Sequence, residues 1–463
     1  MAAKIKYLHT LHRTGLDDVL YGWLTRDGDT DAFYQWNGTG WTLLWALPGT
    51  DLIYSAVTWF ERIFFTDGKH KIWTYDPTPG INEVCLLSET GPIVQYLIVH
   101  QNRLFGGGDA RTQAEVEADG EVWPVDSNRK RILYSEVLDE FTWLANNFID
   151  CSTSRGEAIS GLGINSITTS TSGAQTQLVI FTPSATLVVY GTINGADQSL
   201  SIVSDVLGCP AYKTIVNTPF GLMFMSRETL CLLDTSSKEP SQPGFNIYQE
   251  FKNIPEALRK DACAIYHDEM YKIAFAGASD TTNEREWWLD LRPVVFTQSH
   301  DWYGPHSGDE IIQYVHFDEM LIAGQQNTTS LWQVDVEGLW RSMASSSPRT
   351  SIAITGRAVA PNMQTTKIDA YGFSGTIAQS TTVTMTVDAD LGTSTVSNTW
   401  TSPASLSGEK PAFALIRPLK TPAHAARATI THAAASDIEL FRLYVRRRVR
   451  RKQSEKQTSS AQG

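Results

Sequence analysis

The chain of 463 residues is sparing with charge and with cysteine: Asp, Glu, Lys and Arg make up 19% of it, and its five cysteines are Cys85, Cys151, Cys209, Cys231 and Cys263. An odd number with no C-x-x-C pair suggests neither a disulfide framework nor a zinc knuckle. Apolar neighbours, as in Val84-Cys85-Leu86 and Leu230-Cys231-Leu232, make most of them small hydrophobes. Long apolar runs are also missing. The most apolar stretch, Leu178 to Gly191, is broken by Thr182-Pro183-Ser184 and falls short of the roughly 20 residues of a transmembrane helix. The first residues, carrying Lys4, Lys6, His9, His12, Arg13 and Asp17, hold no signal-peptide core, so a cytoplasm-like compartment is expected.

Catalytic motifs are equally scarce. Gly372-Phe373-Ser374-Gly375 has the wrong spacing for a nucleophile elbow, and Gly106-Gly107-Gly108 lacks the Lys-Ser/Thr that a phosphate loop needs. His300, Asp301 and His306 offer two imidazoles and a carboxylate, but their segment reads as a strand end and a Gly-Pro turn with no further ligand. Thr66-Asp67-Gly68-Lys69-His70-Lys71-Ile72-Trp73 partly resembles the Asp-box turn of sialidases. One imperfect copy reads more simply as a hairpin turn, in which Asp and Gly supply the turn geometry. No catalytic residue, cofactor or metal is therefore assigned. The alternative of a propeller glycosidase or a carbohydrate-binding protein acting on a host surface rests on that turn and on the many aromatics.

What the chain has is aromatic residues, 10% of the total with 14 Trp and 16 Tyr, arranged in a repeat. An apolar strand, a short Gly/Asp/Ser turn and a second apolar strand recur, as in Arg62–Thr66 with Lys71–Asp76, Gln177–Phe181 with Thr186–Gly191, and Gly221–Ser226 with Thr229–Asp234. Asp268-Glu269-Met270 returns as Asp318-Glu319-Met320, each opening such a pair. Taking Tyr21, Ile63, Leu104, Val179, Met223, Ile273 and Leu321 as markers of first strands gives seven units, 41 to 50 residues apart except between 104 and 179. A small sheet cannot bury both faces alone. Packing such sheets around an axis does so, which predicts an all-β fold with a β-propeller of about seven blades. The acidic stretch Ala114–Glu121 inside the long gap has no apolar period and is expected to be a protruding loop.

Near residue 345 the texture changes. A Ser/Pro linker, 344–350, separates the propeller, 1–343, from a Thr/Ala/Val-rich region, 351–445, whose strict alternation at Thr382–Asp388 predicts a second, β-sandwich-like domain. A basic tail, 446–463, is expected to be flexible. From Arg442 onward the chain holds eight Lys+Arg and one Glu, about +7, which leaves about −19 of the total −12 on the rest. Arg442, Arg446, Arg447, Arg448, Arg450, Arg451 and Lys452 are the candidate partner-binding residues. Three readings stay open for them: nucleic-acid contact, docking on an acidic protein surface, or a solvated end.

From about residue 95 to 235 the order of segments resembles the tail hub, or nozzle, proteins of short-tailed bacteriophages, also called phage stabilisation proteins. The resemblance is carried by His100-Gln-Asn-Arg-Leu-Phe105, Tyr134-Ser135-Glu136 with Phe141, Ile159-Ser-Gly-Leu-Gly163, Leu178-Val-Ile-Phe181, Thr186–Gly191, Gly208-Cys209 and Gly221–Ser226. It implies a structural virion component assembled in the host cytoplasm, without catalytic residues. Copies, expected to number six, would form a ring below the portal and the head-to-tail adaptor, touching fibre, spike or needle proteins. The ring would enclose the channel through which genomic DNA leaves without specific binding. An acidic body suits such a lumen, where Lys and Arg would add friction.

Overall fold

A computed structural model describes the chain except for residues 1–3, 26–29, 50–53, 79–82, 87–90, 124–126, 170–172, 235–238, 292–300, 308–309, 337–338, 343–351, 360–365, 378–381, 390–393, 402–409, 417–424, 433–437 and 450–463; beyond residue 334 the description is of strands and their pairing. The protein is all-β, with a seven-bladed propeller followed by a second group of strands. The chain divides into two compact units, one made of Met1–Trp302, Ser307–Val334 and Arg341–Ser346, the other of Tyr303–His306, Asp335–Trp340 and Ser347–Gly463.

Among the described residues each blade is an antiparallel meander of consecutive strands, four in six blades and three in blade 5. In blade 5 the outer position holds a single bridge, in which Leu232 and Ser241 exchange two backbone hydrogen bonds of 2.9 Å. The inner strands of blades 1 to 7 are Lys4–Leu11, Ser55–Trp59, Tyr96–His100, Gly161–Thr169, Val216–Thr218, Cys263–His267 and Ile311–Phe317. Every inner strand touches the next, and that of blade 7 touches that of blade 1, so the ring is closed.

The repeat seen in the sequence is in register with the blades but displaced by one strand. Tyr21, Ile63, Leu104, Val179, Met223, Ile273 and Leu321 all lie on second strands, not first. The apolar hairpin visible by eye is the fully buried pair of strands 2 and 3, whereas the inner strand is more polar and reads less clearly. Asp268-Glu269 and Asp318-Glu319 form the turns between strands 1 and 2 of blades 6 and 7, with φ of 48° and 62° in both. Phe60-Glu61 and Gln101-Asn102 do the same in blades 2 and 3, also at positive φ. Two consecutive residues at positive φ make the two-residue hairpin turn whose twist matches paired strands, which is why Asp-Glu recurs at one place in the unit.

Packing between blades follows from the alternation of side chains across each sheet. Tyr7, Trp23 and Phe33 of blade 1 interlock with Ile63, Phe65 and Tyr75 of blade 2. Val179, Phe181 and Val188 of blade 4 meet Leu222, Phe224 and Leu233 of blade 5 in the same way. At the closure, Ile5, Leu8 and Leu24 pack on Ile312, Val315 and Ile322. Gln313 of blade 7 pairs with the backbone of Leu8 through both its amide atoms, at 2.9 and 3.0 Å. Among the described residues each of these two blades keeps its own strands, and besides the packing and this amide the Ile5 amide donates to the Thr328 carbonyl at 3.2 Å and Trp41 Nε1 to the Thr329 carbonyl at 3.0 Å.

Among the described residues the second group has seven antiparallel strands in two sheets. One contains Ile352–Val359, Ala425–His432, Thr382–Ala389 and Ser394–Thr401 in that spatial order; the other has Lys410–Ile416, Thr366–Ile377 and Ile438–Val449. This is the division of strands expected of a sandwich-like domain. The expected linker 344–350 lies outside the described residues.

Candidate functional site

Among the described residues polar groups gather at several places, among them the propeller axis and the insertion in blade 3, and basic residues lie on the last described strand.

A turn in the link between blades 4 and 5, Tyr212–Thr214, reaches across the axis. In a ring of seven, blade 1 lies opposite that link. Lys213 nevertheless donates through Nζ to the carbonyls of Lys6 in blade 1 and Ile312 in blade 7, at 3.0 and 3.4 Å, so its side chain must traverse the centre. The Tyr212 hydroxyl donates to the carbonyl of Tyr54, just before blade 2, and its ring lies 5.1 Å from that of Tyr96 in blade 3. Tyr271 of blade 6 donates to the Thr214 carbonyl at 2.7 Å. Burial pushes the Lys213 ammonium down to about 8, against the pull of Cys263 and Asp261. Gly161 makes room for this turn, since a Cβ there would sit 2.5 Å from the Ile215 side chain. Gly208 admits the segment leading into it, where a Cβ would lie 2.2 Å from the Thr182 carbonyl oxygen. The Tyr-Lys-Thr turn escapes a sequence reading because it has no periodicity; only the two glycines hint at close approach.

The stretch from 109 to 121 corrects the expectation of a protruding loop. Gln113–Ala118 is a short helix started by a capping box: Thr112 Oγ1 accepts from the Glu115 amide at 3.3 Å and the Thr112 amide donates to Glu115 Oε2 at 2.6 Å. Val116 is fully buried. The acidity serves Arg111, whose guanidinium meets Asp109, Asp119 and Glu121 at 2.8, 2.7 and 2.8 Å. Burial opposes the charge on Arg111, but the hydrogen bonds to these carboxylates outweigh it and raise its pKa. Lys69 ties the helix to blade 2 through Glu115 at 2.7 Å. The Thr-x-x-Glu capping pattern was the available sequence signal.

The turn at Asp67 is a structural one. Asp67 is buried, accepts from the amides of Lys69 and His70 at 2.9 and 2.8 Å, and holds His70 Nδ1 at 2.7 Å. The Asp67 hydrogen bond is the main cause of the raised His70 pKa. Of the other candidate cluster, His300 lies outside the described residues and Asp301 and His306 belong to the outer strand of blade 6. Among the described residues no group of three or more His, Cys, Asp or Glu could hold a metal ion.

Two histidines sit at the opposite end of the inner strands from the axial turn. His9 Nε2 lies 2.8 Å from Thr58 Oγ1 and His100 Nδ1 lies 3.4 Å from Thr176 Oγ1. Burial holds both imidazoles down to about 4, with His12 adding to the effect at His9. A folded-state pKa below the ordinary 6.5 means that the unfolded chain takes up protons the folded one refuses. Their contribution to stability is present above pH 6.5 and is lost as the pH falls toward 4. His100→Gln is expected to flatten the fall in urea midpoint between pH 7 and pH 5; an unchanged slope would contradict this role.

The predicted basic residues divide. Arg442, Arg446, Arg447 and Arg448 lie on the strand Ile438–Val449, opposite Ser374, Ala370, Ile368 and Lys367 of Thr366–Ile377. Arg450, Arg451 and Lys452 lie outside the described residues. The strand runs past the expected domain boundary at 445, through three arginines to Val449. Its place at a sheet edge explains the tolerance: charged residues are common on edge strands, where they discourage indiscriminate pairing.

No protein-family model and no curated protein matches the chain. Among solved structures it is similar to an exo-beta-1,3-galactanase from Phanerochaete chrysosporium, at 10% identity over 85% of this chain and 95% of that one, with a TM-score of 0.29. Sqt1 from Saccharomyces cerevisiae matches at 12% identity over 70% of this chain and 97% of its own, with a TM-score of 0.40. The extracellular domain of a hybrid two component system from B. thetaiotaomicron matches at 8% identity over 76% of this chain and 44% of that one, with a TM-score of 0.42. Likeness at these levels carries no argument about function.

Proposed function

We propose that the chain is a structural component of a short-tailed bacteriophage tail, one copy of a ring that encloses the DNA exit channel below the portal and adaptor. The observation that carries this reading beyond the sequence resemblance is the separation of charge between an acidic body and an ordered basic edge strand. Arg448 stands opposite Lys367 across the ladder. Outer blade strands also leave apolar side chains in solvent, with Leu43 and Trp45 on blade 1 and Leu200 and Ile202 on blade 4 between 37% and 50% exposed. Such edges suit neighbouring copies. With the axis crossed by Tyr212 and Lys213, the channel of this assembly would run between copies and not through a blade ring.

Truncation after Val445 is expected to weaken attachment to the adaptor or neighbouring tail protein in a co-sedimentation assay, with the propeller still folded. Normal attachment by the truncated chain would remove the role of the basic strand. Rings of uniform diameter in negative-stain images would support the assembly. Monomers that cleave or tightly bind host polysaccharide would replace this reading with that of a propeller acting on carbohydrate.

A further inference from the structure

His267 closes the inner strand of blade 6 and His316 lies near the end of that of blade 7. Both flank the repeated turn, His267 one residue before Asp268 and His316 two residues before Asp318. An offset of one position places two residues on opposite faces of their strands. Neighbouring blades face each other with opposite faces, so the offset turns the two imidazoles together. His267 Nδ1 and His316 Nε2 are 3.2 Å apart, with ring centroids 5.3 Å apart.

The other nitrogen of His267, Nε2, lies 3.3 Å from Asp268 Oδ2. The charge of that exposed carboxylate favours the tautomer protonated at Nε2, which leaves Nδ1 to accept from His316 Nε2. A proton on His316 Nε2 joins the two nitrogens as a hydrogen bond, and a cation taking its place would meet a lone pair from each ring. A carboxylate close to the far nitrogen of a histidine also strengthens that imidazole as a metal ligand. Nitrogens separated by 3.2 Å subtend about 100° at an ion ~2.0–2.1 Å from each, near the tetrahedral angle.

We propose that His267 and His316 form a bis-imidazole site for a divalent transition-metal ion such as Zn²⁺, which clips blade 6 to blade 7. Imidazole nitrogen suits Zn²⁺, Ni²⁺ and Cu²⁺ over Mg²⁺ and Ca²⁺, which take oxygen ligands. Burial lowers the pKa of both histidines, with His267 and His12 lowering that of His316 further and Asp268 opposing in each case, which favours the neutral form that coordinates. His316 is exposed, giving the ion a way in. Water completes the coordination, so the ion is exchangeable and a chelator removes it. This site is independent of any ring assembly.

The test uses the untagged full chain, stripped with chelator and titrated with Zn²⁺ by calorimetry. One ion per chain is expected, with affinity falling at least 100-fold in His267→Ala and in His316→Ala. Asp268→Asn is expected to weaken it by about tenfold, as loss of an orienting partner does. His100→Gln serves as the control, with unchanged affinity. Zn²⁺ should also protect two histidine peptides, those of His267 and His316, from diethyl pyrocarbonate in the unsubstituted protein, which keeps the test open if either Ala variant fails to fold. Equal Zn²⁺ binding by the folded Ala variants, or no protection of these two peptides, would overturn the site.

Discussion

Replacing Arg111 with Met is expected to destabilise the propeller by about 3–5 kcal/mol, the usual cost of stripping a buried charge of its counter-charge. The Arg111 side chain is 3% exposed, and Asp109, at 0%, is the partner with no access to water. Asp109 Oδ1 would still accept from the Arg111 amide at 2.9 Å, but its second oxygen would lose the guanidinium at 2.8 Å. Asp119 and Glu121, 51% and 36% exposed, would be resolvated at small cost. The damage should therefore be asymmetric, and adding Asp109→Asn should recover much of the loss by removing the stranded charge. Urea unfolding of the single and double variants measures both effects. A loss below about 1 kcal/mol in the single variant would mean that water reaches Asp109, as it does at surface ion pairs.

Trp23→Ala is the second large effect, again about 3–5 kcal/mol, because it removes the largest side chain of a core shared by two blades. Trp23 is fully buried, with the rings of Tyr7, Phe33, Tyr54 and Phe65 at 5.4, 4.9, 5.9 and 5.1 Å. Two of these neighbours belong to blade 1 strands, one precedes blade 2 and one lies within it, so the cavity would open between blades, where neither sheet can collapse to fill it. The indole Nε1 has no hydrogen-bond partner among the described residues. Trp23→Phe therefore forfeits volume but no hydrogen bond and should cost clearly less than Ala. Comparable losses for Phe and Ala would show that the indole N–H matters after all. Thermal denaturation should reveal the difference in the propeller transition.

Much of the fold was written in local pattern. The strand 2 to strand 3 hairpins, such as Gly221–Met225 with Leu230–Asp234, are apolar on both faces because a neighbouring blade covers each side. Such runs are visible in any window of a dozen residues, and their spacing counted the blades. The displacement by one strand arose because inner strands such as Tyr96–His100 alternate less clearly, being only partly covered. The helix at Gln113–Ala118 was legible in its capping box but was masked by acidity, which looks like solvation until Arg111 is seen to gather it.

By itself the sequence determined the order of the blades and a count of about seven, the repeat of Asp268-Glu269-Met270 at Asp318-Glu319-Met320, and the separation of basic from acidic charge. These depend on side-chain period, on backbone freedom at single residues and on composition, all of them local properties. The tertiary structure alone decided that Lys213 crosses to Lys6 and Ile312, that Gln313 closes the ring on Leu8, and that His267 meets His316. Each of these contacts joins residues tens to hundreds of positions apart, and only closure of the blades around one axis brings them within hydrogen-bonding reach.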